Sequence, residues 1–122
     1  MKTNFRKNIR FVVLKELARA LDARRKGNYL QEFAHLEHAH VLGQNSTYWH
    51  TKVHCLMFAW AKRQADKKEC IGQLLRIVGA VSKTAVGALP QGNTGGSNIS
   101  PFKSLPLQER HARAIARAQA PR

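Results

Sequence analysis

The chain has 122 residues, 43% hydrophobic and 23% charged. That is one domain's worth of chain with an ordinary globular balance, which excludes a multidomain machine and wholesale disorder. Lys and Arg number 21 against 7 Asp and Glu, a formal charge of +14, which favours anionic partners such as nucleic acid or lipid headgroups.

Apolar residues recur at helical spacing from about Phe5 to Arg25, with Ile9, Val12, Val13, Leu17, Ala20 and Leu21 on one stripe. The run Phe11–Leu14 is too short for a signal peptide core and is followed at once by Lys15, Glu16 and Arg19. Gly27 supplies a helix stop after basic Arg24, Arg25 and Lys26, and Asn28 an N-cap for a second helix reaching about Leu42. Gly43 and the Asn45-Ser46-Thr47 turn lead into a third helix over about Tyr48 to Ala65. Asp66 caps a fourth, extending to roughly Val86, for which Ile71, Leu74, Leu75, Val78 and Val81 form the predicted buried stripe. From Gly87 to Pro106 the composition turns to Gly, Pro, Asn, Ser and Thr and reads as an extended segment, with Phe102, Leu105 and Leu107 as anchors onto the bundle. Residues 108–122 form a basic Ala/Arg tail expected to be a frayed, mobile helix.

The predicted architecture is all-α. About four helices form two antiparallel hairpins within a single domain spanning residues 1–107, the packed extended segment 87–107 included. Gly27, Tyr29, Leu36 and Ala39 give the first hairpin a tetratricopeptide-like phase, although one copy is not a solenoid. No run approaches the roughly 20 apolar residues of a membrane-spanning helix. Cys55 and Cys70 fall on separate helices and are too few for a disulfide scaffold, so a reducing cytoplasm is the expected compartment.

Five of the six histidines, His35, His38, His40, His50 and His54, lie in one window with Glu37. A helix advances about 100° per residue, so Glu37 and His40 share a face, as do His50 and His54. Folding the second and third helices back around Gln44–Ser46 brings position 40 opposite 50 and 36 or 37 opposite 54. Two readings follow for Glu37, His40, His50 and His54. They are ligands of a divalent metal such as zinc or iron, or Glu37 accepts hydrogen bonds in a buried polar network that fixes helix packing. His35 and His38 fall further round and read as surface groups, and Cys55 points about 100° away from His54. A Ser-His-Asp arrangement and an HEXXH motif are both absent, so catalysis has the least support.

The loop Pro90–Asn98 has a composition suited to wrapping an anion but lacks a phosphate-loop Lys-Ser/Thr ending. Basic groups at Arg6, Lys7 and Arg10, at Arg24–Lys26, at Lys62, Arg63, Lys67 and Lys68, and in the tail suit, as an alternative function, an interaction module that binds nucleic acid non-specifically or a protein partner, with the His/Glu cluster purely structural.

The segments His35–Gln44, Val53-His54 with Met57, Gly72–Arg76, and Gly92–Ser100 with Phe102 resemble a small bacterial family, domain of unknown function 3703, over roughly residues 10 to 107. The family carries no assigned activity. The resemblance implies a bacterial accessory protein set among heavy-metal resistance and cation-efflux genes, which favours the metal reading. His38 and Cys55 depart from the family's usual residues.

Overall fold

A computed structural model describes residues 4–82 and 107–120. Five helices are present among them: α1 (Phe5–Arg25), α2 (Tyr29–Gly43), α3 (Thr47–Arg63), α4 (Lys67–Ser82) and α5 (Glu109–Gln119). No strand occurs among the described residues. The expected extended segment and the Gly-rich loop Pro90–Asn98 lie outside them, apart from Leu107, which is half-buried against the core.

The turns follow from their sequences. At the end of α1, Gly27 adopts φ 73°, Asn28 N–H donates to Ala23 O at 2.9 Å and Gly27 N–H to Arg24 O at 3.0 Å. This is the reciprocal pair of a Schellman stop. Asn28 then caps α2 by accepting from Gln31 N. The turn after α3 repeats the construction. Asp66 N–H donates to Ala61 O at 2.9 Å, Ala65 N–H to Lys62 O at 3.1 Å, and Asp66 Oδ1 accepts from Glu69 N. Here the left-handed position, φ 56°, is filled by Ala65 instead of glycine. Ser46 caps α3 by accepting from Trp49 N. Between the two hairpin turns, Gly43 lets α2 and α3 approach closely, since a Cβ there would lie 2.6 Å from Trp49 Cβ.

The core gathers Ile9, Val13, Leu36, Leu42, Trp49, Val53, Met57 and Trp60. Both tryptophans are buried and donate indole hydrogen bonds, Trp49 to Arg6 O and Trp60 to Tyr29 O, while Phe33 stacks on Trp60 at 4.3 Å. Three expectations change. Leu21 of α1 is exposed, not inside its apolar stripe. On α4, Ile71, Leu74, Leu75 and Val78 are all more than half exposed, and among the described side chains the buried ones are Glu69 and Gln73, Val81 of the predicted stripe lying outside that description. The supposed mobile tail instead carries α5, which buries His111, Ile115 and Ala118 against the bundle and accepts from Asn8 Nδ2 at Ala118 O. Residues four and seven apart on that helix form a narrow stripe that places a histidine, an isoleucine and an alanine inside.

Candidate metal centre

The Gly43–Ser46 turn folds α3 back along α2, placing His40 in the last turn of α2 against His50 and His54, one turn apart on α3. His54 Nε2 lies 2.9 Å from His50 Nε2 and 3.2 Å from His40 Nε2. The three ligand nitrogens lie within 4.8 Å of one another, and the residues are 2%, 6% and 1% exposed in the order His40, His50, His54. A tetrahedral zinc with bonds of about 2.0–2.1 Å holds its nitrogens roughly 3.3–3.4 Å apart, so the two measured separations come within a few tenths of an ångström. Glu37 is half-buried on α2 and stands outside this set of mutually close ligand atoms. Three of the four expected residues are therefore brought together. Cys55 is exposed and Cys70 half-buried, and both are free thiols.

The group that completes the cluster comes from α4. Gln73, fully buried, accepts from His54 Nδ1 at Oε1 (2.6 Å) and donates from Nε2 to Glu69 Oε2 at 3.0 Å. A carboxylate can only accept, which fixes the amide orientation; the amide oxygen can only accept, which places the His54 proton on Nδ1. Neutral His54 therefore presents a bare lone pair at Nε2, aimed at two further imidazoles. Burial pushes His54 down to about 3, helped by the charges of His50 and Arg76 against the Gln73 bond, and burial alone pushes His50 down to about 4. Both rings are neutral at pH 7, the state a metal ligand needs. One lone pair accepts one hydrogen, so two neighbouring Nε2 atoms cannot both be served by it. With Nδ1 of His40 and His50 protonated as well, three imidazole lone pairs would meet around one point, an arrangement that suits a cation, and the outer Gln73–Glu69 pair is the kind that orients a ligating histidine.

Sequence reasoning missed a second polar cluster. Glu16, only 3% exposed on α1, lies 2.8 Å from His35 Nδ1 and 3.5 Å from His38 Nδ1 through Oε2, and 2.9 Å from Arg19 through Oε1. Burial alone would raise its carboxyl, but the His35 bond with the charges of His38, His35 and Arg19 holds it below its ordinary value. His35 and His38 are thus half-buried partners of an acid, not surface groups. Gln31 at 3.3 Å occupies the other nitrogen of His35. From α5, Arg110 Nη1 lies 3.9 Å from Glu16, and the His111 ring sits 5.0 Å from that of His38. The signal was present in the sequence: Glu16 stands between Val13 and Ala20, inside the apolar stripe of α1.

The two hairpins bury equivalent polar pairs. Glu16, Asn28 and His35 are each followed 38 residues later by His54, Asp66 and Gln73, and each pair, Glu16–His35 and His54–Gln73, bridges two helices of one hairpin across 19 residues of sequence.

The family model described as "Protein of unknown function (DUF3703)" matches residues 7–115. That match runs into α5, beyond the expected limit near residue 107. No curated protein matches the chain, and no solved structure does.

Proposed function

We propose that in this chain, which belongs to the DUF3703 family, His40, His50 and His54 hold a divalent transition-metal ion such as zinc or iron and that the protein is an accessory of metal handling. The observation that carries this reading is the proton placement on His54. With Nδ1–H committed to Gln73, the Nε2 lone pair faces two more imidazole nitrogens at 2.9 and 3.2 Å. A cation can bind every ring nitrogen that turns a lone pair to it, whereas the single His54 Nε2 lone pair accepts a hydrogen from only one of its two neighbours. The low exposure of all three rings suits retention of an ion over turnover of a substrate. Glu37, one turn from His40, is not required as a ligand.

The test is elemental analysis of untagged protein beside a His40→Ala/His54→Ala variant, with folding checked by circular dichroism. Near-stoichiometric metal in the wild type, lost in the folded variant, is the expected result. A metal-free wild type that also gains no thermal stability from zinc, nickel, cobalt or iron refutes the reading and leaves a structural histidine network.

A further inference from the structure

Away from the histidines, the N-terminal ends of α1 and α3 meet at a cavity of about 410 Å³ lined by Asn4, Arg6, Lys7, Arg10, Tyr48 and Trp49. We propose that this corner binds the phosphate chain of a di- or triphosphate, free or carried on a nucleotide. The volume lies within the range of small-molecule sites.

Charge and dipole agree here. Three of the six lining residues are cations and none is an acid. Two helix N-termini carry partial positive charge, and although caps take Lys7 N (Asn4 Oδ1) and Trp49 N (Ser46 Oγ), each end has further first-turn N–H groups without intrahelical acceptors. Such ends usually recruit Asp or Glu, yet neither α1 nor α3 has an acid in its first turn. The chain's seven acids all lie among the described residues, and six are held by named partners elsewhere. Glu16 pairs with Arg19 and His35, Asp22 with Lys26, Glu32 with Arg63 and Glu109 with Arg113, while Asp66 caps α4 and Glu69 receives Gln73. The segments outside the described residues contain neither Asp nor Glu, so they supply no side-chain counter-charge.

The wall is also stiff. The Arg6 guanidinium lies 3.7 Å from the centroid of the Tyr48 ring, and the backbone carbonyl of Arg6 accepts from Trp49 Nε1 at 2.9 Å. Lys52 Nζ stands 5.7 Å from both aromatic rings. Lys7 and Arg10 are exposed, and neither forms a salt bridge among the described residues. Several positive groups around one cavity, Arg6 among them held on the Tyr48 ring, match several adjacent phosphate charges better than a single anion, because each added charge meets its own cation.

The test is calorimetric titration of the full chain, metal-free and with chelator, at about 150 mM salt where long-range attraction is screened. Tripolyphosphate, ATP and AMP are the probes. Saturable binding of tripolyphosphate and ATP is expected, with AMP at least about tenfold weaker. Equal affinities for tripolyphosphate and ATP identify the phosphate chain as the whole determinant, and tighter ATP identifies a nucleotide; either supports the proposal. A Lys7→Ala/Arg10→Ala variant should lose about tenfold or more in affinity. Arg24→Ala/Arg25→Ala makes the same charge change at the far end of α1 and should lose less than about threefold. Equal losses in the two variants, AMP binding as tightly as ATP, or no saturable binding would each overturn the proposal. The Trp49 indole N–H resonance places the ligand: it should shift on titration, and saturable binding that leaves it unmoved also overturns the assignment.

Discussion

Replacing Gln73 separates a metal-orienting role from a merely structural one. Gln73→Leu keeps the side-chain volume close but removes both amide partners. His54 Nδ1–H loses its acceptor at 2.6 Å inside a residue that is 1% exposed, and Glu69 loses a donor at 3.0 Å while 6% exposed. An orphaned buried donor costs about 1–3 kcal/mol and a lost hydrogen bond to a buried charge about 1.5–3 kcal/mol, large against a domain stability of about 5–15 kcal/mol. If the amide also holds the His54 tautomer for a metal, affinity falls by about 10–100-fold. Gln73→Glu keeps an acceptor for His54 but sets a second carboxylate against Glu69, so it should lose stability and hold metal within a few-fold of wild type. The assays are urea unfolding with chelator for stability and competition with a chromophoric chelator for metal. Gln73→Leu that is destabilised yet binds metal within about threefold of wild type would refute the orienting argument.

Four further outcomes follow from the geometry. His50, His54 and His111 are held neutral by burial down to about 4, 3 and 4, whereas the unfolded chain protonates them near 6.5. The unfolded state therefore binds more protons below that pH, and metal-free stability should fall on acidification at up to about 4 kcal/mol per pH unit between pH 5.5 and 4.5; flat urea midpoints across that window would contradict it. Gly43→Ala puts a Cβ 2.6 Å from Trp49 Cβ and should cost about 1–3 kcal/mol in urea unfolding, with no change expected only if α2 and α3 do not approach as described. Ile115→Ala should cost about 2–4 kcal/mol in the same assay, where a tail detached from the bundle would cost nothing measurable. Ala65→Gly relieves a left-handed residue at φ 56° and should raise the thermal midpoint by the equivalent of about 0.5–1 kcal/mol; a fall would mean that Ala65 does not adopt that conformation.

The boundaries most legible in the sequence are those set by backbone chemistry. Gly27, Asn28, Ser46 and Asp66 each have one local conformation that suits them, and the helices stop and start there. Burial was harder to read, because periodicity assigns the interior to apolar residues. On α4 it chose Ile71, Leu74, Leu75 and Val78, while the buried positions among the described side chains are Glu69 and Gln73, polar residues held inside by their bonds to one another and to His54. The histidine triad followed from helix spacing and one turn, both local properties. Glu37 was drawn in by sharing a face with His40, but three residues leave about 60° between side chains, enough to put it outside the set. Gln73 and the Glu16 partners are reached only through packing between helices, which one strand of sequence does not state. In α5, His111, Ala114, Ile115 and Ala118 have helical spacing, yet alanine contributes so little hydrophobic signal that the stripe passes for a solvated basic tail.

The bond from Asn8 to Ala118 joins residues 110 apart in the chain, while every residue of the triad and its support lies between His40 and Gln73. During synthesis at about 5–20 residues per second, the stretch separating Gln73 from Ala118 takes about 2–9 s to appear. For those seconds the nascent chain already holds a complete set of imidazoles but not the helix whose Ala118 carbonyl accepts from Asn8. Under the proposed metal reading, an ion captured in that interval would arrive before α5 closes the fold.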